Sequence, residues 1–160
     1  MRSAFVIVAS LIAVPALAQE PVGCDKFKWP IDRERALLAD AKLVAIGADV
    51  ADGAVKLRLS PVTEIKLPAE PSRNPKPNSY AGFVRYASPP HAGTYRVTLS
   101  EPGWIDVVQD GREMESGAFS AVTGCEGIRK SVKFRLRPSP FVVEITGSPV
   151  KEIAVAVTPD

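Results

Sequence analysis

The sequence predicts a mainly β chain: an antiparallel β-sandwich preceded by a short N-terminal helix. Three observations carry this expectation. From Asp52 onward, apolar side chains recur at every second position, the period of a strand with one buried face. Segments of strand length are separated by turn-forming clusters such as Ser88-Pro89-Pro90, Ser100-Glu101-Pro102-Gly103 and Gly147-Ser148-Pro149. Only one segment, near the N-terminus, carries a helical stripe. A sheet with one apolar face must be covered, and for about seven or eight short strands the natural cover is a second sheet.

Residues 1–18 have the form of a cleaved signal peptide: Arg2, an apolar run from Ala4 to Val14, then Ala16 and Ala18 at the small-residue positions read by a signal peptidase. A membrane anchor would need about 20 apolar residues, and Pro15 interrupts this run early. Lipidation at Cys24 would require a Leu-[Ala/Ser] approach that Pro21-Val22-Gly23 lacks. The expected location is therefore the periplasm or the outside of the cell. No second hydrophobic run approaches membrane length, so no transmembrane segment is expected after cleavage.

Residues 19–51 are expected to form a helical head, with Ile31, Arg35 and Leu38 on one stripe and Pro30 near the first turn. Residues 52–160 are expected to form the sandwich. Val55, Leu57 and Leu59 alternate with Lys56, Arg58 and Ser60 in its first strand, and the proline-rich stretch Pro68 to Ser79 reads as an exposed loop or edge crossover. Tyr80 to Tyr86 is a strand. Tyr95, Val97 and Leu99 then alternate with Thr94, Arg96 and Thr98, and Trp104 to Val108 runs back. An antiparallel register that keeps apolar residues together sets Val97 opposite Ile105 and Tyr95 opposite Val107, with Arg96 opposite Asp106 and Thr98 opposite Trp104. By the same argument Phe141, Val143 and Ile145 return opposite Leu136, Phe134 and Val132, with Lys133 opposite Glu144, and Ile153, Val155 and Val157 point inward in the last strand.

Lysine and arginine number 20 against 18 acidic residues, a formal charge of +2 that falls by one unit when Arg2 is removed. Such a balance gives no reason to expect a nucleic acid partner. Cys24 and Cys125 are the only cysteines, and in an exported chain an even count reads as a disulfide. The bridge would close a loop of about a hundred residues, for which chain entropy assigns about 4 to 5 kcal/mol, and would pin the head beside Thr123-Gly124-Cys125. A redox or metal pair would want C-x-x-C spacing or a nearby histidine.

The segments Ala92-Gly93-Thr94-Tyr95-Arg96-Val97-Thr98-Leu99 and Phe134-Arg135-Leu136, leading into Phe141 to Gly147, resemble bacterial pre-peptidase C-terminal modules. That resemblance implies a small secreted, jelly-roll-like sandwich serving as a non-catalytic accessory. Trp104-Ile105-Asp106-Val107, followed by Cys125 to Val132, is similar to a group of short exported proteobacterial proteins, some labelled homogentisate 1,2-dioxygenase. The label implies a non-haem iron held by two histidines and a carboxylate. The chain has one histidine, His91, so a single chain cannot supply those ligands.

His91 sits in the turn Pro89-Pro90-His91-Ala92-Gly93, where loop histidines collect without chemical duty, and no catalytic role is assigned to it. The expected register makes Arg96, Trp104 and Asp106 a candidate ligand patch: an aromatic platform between a guanidinium and a carboxylate suits a sugar ring. The plainer alternative is a covered tryptophan beside a cross-strand ion pair. Lys130, Lys133, Arg135 and Arg137, with Arg129 upstream, form a candidate anion-binding stripe, though such a stripe more often guards a sheet edge against pairing with another chain. Asp106, Asp110, Glu113 and Glu115 match no calcium loop, and Asp110-Gly111 is explained as a turn. No metal and no cofactor are expected. The functional expectation is a non-catalytic binding or accessory module for a glycan, an envelope polymer or an envelope protein; the alternative is a small exported oxidoreductase.

Overall fold

The computed structural model describes residues 19–160, so the expected signal peptide, residues 1–18, lies outside the described residues. A short 3-10 helix (Cys24–Lys26) and the helix α1 (Asp32–Asp40) precede twelve strands: β1 (Lys42–Val44), β2 (Asp49–Val50), β3 (Gly53–Arg58), β4 (Ser60–Pro61), β5 (Tyr80–Tyr86), β6 (Gly93–Leu99), β7 (Trp104–Gln109), β8 (Arg112–Glu113), β9 (Ser116–Ala121), β10 (Lys130–Leu136), β11 (Phe141–Ser148) and β12 (Glu152–Pro159). They form two packed sheets. One runs β1-β3-β12-β6-β10-β9 and the other β2-β5-β11-β7-β8, with β4 on β5. No helix among the described residues is long and apolar enough to cross a membrane.

Alternation places every second residue inward, and those residues form the core. Leu57, Val97, Leu99, Phe134 and Val155 of the first sheet meet Val84, Val107, Val143 and Ile145 of the second, all essentially inaccessible to solvent. Each such side chain contributes about 1.5–3 kcal/mol through burial. Tyr86 and Phe141, cross-strand partners in β5 and β11, stack with ring centroids 5.2 Å apart. The sheets are antiparallel except at two edges, where β1 joins β3 and β2 joins β5 in parallel. Residues 42–50, placed in the head by the sequence reading, thus edge both sheets.

The expected strand partners are corrected. β6 pairs with β10 and β12, whereas β7 pairs with β11 and β8. Val97 therefore lies opposite Val132 and Val157, not Ile105, and Arg96 lies opposite Lys133 and Thr158, not Asp106. The same correction applies to β10 and β11. Lys133 is not opposite Glu144, whose strand partners are Asp106 and Phe83. The physical reason is that the connections 100–103 and 137–140 arch from one sheet to the other. Buried Gln109 holds the second arch, donating from Nε2 to the Arg137 and Ser139 carbonyls at 2.9 and 2.8 Å and accepting from the Arg137 amide at 2.9 Å. Ser100 pins the first to β12, exchanging bonds with Ala154 at 3.0 and 2.8 Å. Asp110 and Gly111, both with positive φ (52° and 72°), make the tight β7–β8 turn.

The outer face of the first sheet is covered by the head. Small residues there, Ala154 and Ala156, leave room for Ile31 and Leu38 of the helical segment and for Ile128. Glu34, not Arg35, shares the buried stripe with Ile31 and Leu38. Its Oε1 accepts from Thr158 Oγ1 at 2.7 Å and Arg33 Nη2 at 2.9 Å and lies 3.5 Å from Arg96 Nη1. Burial works to raise its pKa, but the hydrogen bonds from Thr158 and Arg33 outweigh it and hold the carboxyl below its ordinary range. Cys24 and Cys125 form a disulfide, and residues 21–23 run beside Thr123 through backbone hydrogen bonds, so the head is pinned to the loop before β10.

Candidate functional site

The outer face of the second sheet is crossed by the proline-rich stretch 68–79, which acts as a strap. Parity in β7 turns Ile105 and Val107 inward and Trp104 and Asp106 outward, under this strap. Two strap residues are tied to carboxylates on the sheet. The Ala69 amide donates to Glu144 Oε1 at 2.8 Å. Ser72 donates from its amide to Asp106 Oδ2 at 3.2 Å and from its hydroxyl to Asp106 Oδ1. Trp104 Nε1 donates to Ser72 Oγ at 2.8 Å and to Asp106 Oδ1 at 3.0 Å. These bonds fix the indole, leaving its ring at the mouth of a cleft.

The cleft, about 800 Å³, lies where the starts of β7 and β10 meet the end of β11 and the strap. Its wall carries Arg73 and Lys76 from the strap, Arg129 and Lys130 from the start of β10, and Glu20. The Arg73 guanidinium carbon is 4.3 Å from the Trp104 ring centroid and Lys130 Nζ is 4.8 Å from it. Lys130 also donates to the Gly103 carbonyl at 3.3 Å. Burial, reinforced by the charges of Arg129 and Arg73, lowers the pKa of the Lys130 ammonium. Arg129 is neutralised by Glu20, which the disulfide-pinned segment 20–24 brings alongside, and it donates to the Val122 carbonyl at 2.7 Å. Among the described residues no carboxylate lies within ion-pair distance of Arg73, Lys76 or Lys130.

Of the expected patch, Trp104 and Asp106 are brought together, but Arg96 is not with them. It lies on the outer face of the other sheet, where it donates to Asp160 at 2.7 Å and to the Pro30 carbonyl at 3.0 Å and clamps the head. The expected basic stripe is dispersed. Lys130 faces Trp104; Lys133 pairs with Asp160 at 2.6 Å and lies over Trp29; Arg137 pairs with Asp110 at 2.6 Å; Arg135 is exposed. Nor does it guard an edge, because β10 sits between β6 and β9. The acidic group separates likewise, with Asp106 under the strap and Asp110 in its turn.

His91 is exposed, and its contact is through the main-chain carbonyl, which accepts from Tyr95 Oη at 2.9 Å. The donor set does not fit an iron dioxygenase: the chain carries one histidine where the site needs two, and among the described residues no three metal-ligating side chains cluster. No family model matches the chain, and no curated protein or solved structure matches it either.

The strap residues Ser72 and Arg73, and the buried Glu144, escape a periodicity argument. Ser72 and Arg73 belong to a polar, proline-rich run without alternation. Glu144 stands at an outward position that alternation alone marks as solvent-exposed.

Proposed function

We propose that the chain is a non-catalytic β-sandwich module, working in the periplasm or outside the cell, that holds an envelope polymer or a partner protein in the cleft beside Trp104. The observation that carries this reading is the fixed Trp104 indole at the mouth of a concavity of about 800 Å³. A concavity of this size matches a small-molecule pocket. A protein partner is better met by a broad face of roughly 800 Å² per side. The cleft thus favours a segment of polymer, such as a few sugar units of a glycan. Arg96, remote from Trp104, takes no part.

The test is retention of purified protein on a glycan array and on immobilised envelope polysaccharide. Trp104→Ala is expected to abolish binding. Asn74→Trp, at an exposed strap position lining the cleft, is expected to block it while leaving the fold untouched. Equal binding by both variants and the parent protein, or no binding by the parent protein, overturns the reading.

A further inference from the structure

We infer that the cleft is an oxyanion site, and that the polymer it takes is an acidic polysaccharide bearing phosphate or carboxylate groups. This inference rests on the cleft being the binding site and names the chemistry of its ligand. A bare tryptophan ring would suit stacking by a neutral sugar. Here two cations already stand close to the Trp104 ring, at 4.3 and 4.8 Å from its centroid, so the cleft presents positive charge in place of an open aromatic face.

The positive charge is only partly offset: Glu20, on the same wall, pairs with Arg129, and Glu20 and Asp106 act on Lys130 from beyond ion-pair distance. Arg73 and Lys130 converge on one ring, with Lys76 on the same wall, and among the described residues none of the three has a carboxylate within ion-pair distance. Lys130 is half-buried and carries three N–H donors, yet among the described residues its ammonium donates only to the Gly103 carbonyl. Asp106, a carboxylate on the sheet beside Trp104, is engaged by Ser72 and Trp104. Holding like charges together without a direct ion-pair partner is unfavourable. A ligand oxyanion relieves it by accepting from the Lys130 ammonium and the planar Arg73 fork, which can engage a carboxylate or phosphate through two parallel bonds. Burial is the main cause of the lowered Lys130 pKa, and the charges of Arg129 and Arg73 add to it against those of Glu20 and Asp106.

The test is an NMR titration of the purified full-length protein, in low and moderate salt, with inorganic phosphate, mannose 6-phosphate and a galacturonic acid trimer, against mannose and a galactose trimer as neutral controls. The acidic probes are expected to shift the Trp104 indole N–H resonance and neighbouring strap amides, with affinity falling as salt rises. Arg73→Gln and Lys130→Gln are each expected to weaken this binding about tenfold, the scale of one lost charge-assisted hydrogen bond. Comparison of the phosphate and uronate arms identifies the charged group. Equal binding of neutral and acidic trimers, insensitive to both substitutions, overturns the oxyanion site while leaving polymer binding standing. Silence of every acidic probe overturns it as well, and neutral-polymer binding on the array then decides the broader reading separately.

Discussion

Replacing Glu144 by glutamine is expected to stabilise the protein at neutral pH. Glu144 is fully buried between β11 and the strap; one carboxylate oxygen accepts from the Ala69 amide at 2.8 Å, while the other is buried without a hydrogen-bond partner. Burial raises its pKa, the Ala69 amide pulls the other way, and the charges of Asp106 and Glu113 add to the rise. A carboxyl whose folded pKa is raised stabilises the fold in its protonated form, below the ordinary glutamate range, and that contribution is lost as pH rises through the folded value. At neutral pH the ionised group is therefore a cost. Glutamine keeps the acceptor for Ala69, removes the charge and offers donors beside Asp106, its strand partner. Relieving one buried, unsatisfied polar oxygen is worth about 1 to 2 kcal/mol, or about 3 to 6 °C in Tm for a domain of this size. Urea denaturation of both proteins between pH 4 and pH 8 measures it. The advantage of glutamine is expected to be largest at pH 8 and to shrink toward pH 4. A variant less stable than the parent at pH 8, or a difference that does not change with pH, would refute the reasoning.

Two further outcomes are expected. Removing the bridge as Cys24→Ala with Cys125→Ala opens a closure between residues 101 apart and is expected to cost at most about 4 to 5 kcal/mol, read as a large drop in the urea midpoint; an unchanged midpoint would show that the head packs without its staple. Glu34→Ala leaves the buried Thr158 hydroxyl without its acceptor, while Arg96 keeps Asp160, and is expected to cost about 1 to 3 kcal/mol near pH 7. Because the Glu34 pKa is lowered in the fold, that loss is expected to diminish as pH falls below the glutamate range, the opposite sense to Glu144.

Strand positions were legible wherever one face is apolar. The alternation of Val55, Leu57 and Leu59, and of Val132, Phe134 and Leu136, marked their inward sides correctly. Partners were not legible, because alternation gives a side chain's face and not its neighbour. Val97 and Ile105 do share one core, but across the gap between sheets, and the choice between hairpin and arch is made by Gln109 and Ser100 through bonds to backbone groups distant in the sequence. β9, Ser-Gly-Ala-Phe-Ser-Ala, left no periodic trace because its residues are mostly exposed. The candidate site was half legible. Trp104 and Asp106 stood out by type, Lys130 by its basic neighbourhood, whereas Arg73 came from a run whose placement depends on main-chain amides meeting Glu144 and Asp106.

The position of β12 has a consequence for how the chain reaches this structure. β12 is the last described strand, yet it lies in the middle of its sheet, between β3 and β6. Until residues 152–159 are in place, β1-β3 and β6-β10-β9 are separate fragments, each with an unsatisfied inner edge, and α1 lacks Ala154 and Ala156 to pack on. Assembly then depends on contacts between segments far apart in sequence, the class of topology that folds slowly. A chain emerging from synthesis would hold both edges open until residues 152–159 appear, and the first sheet closes when β12 inserts between them.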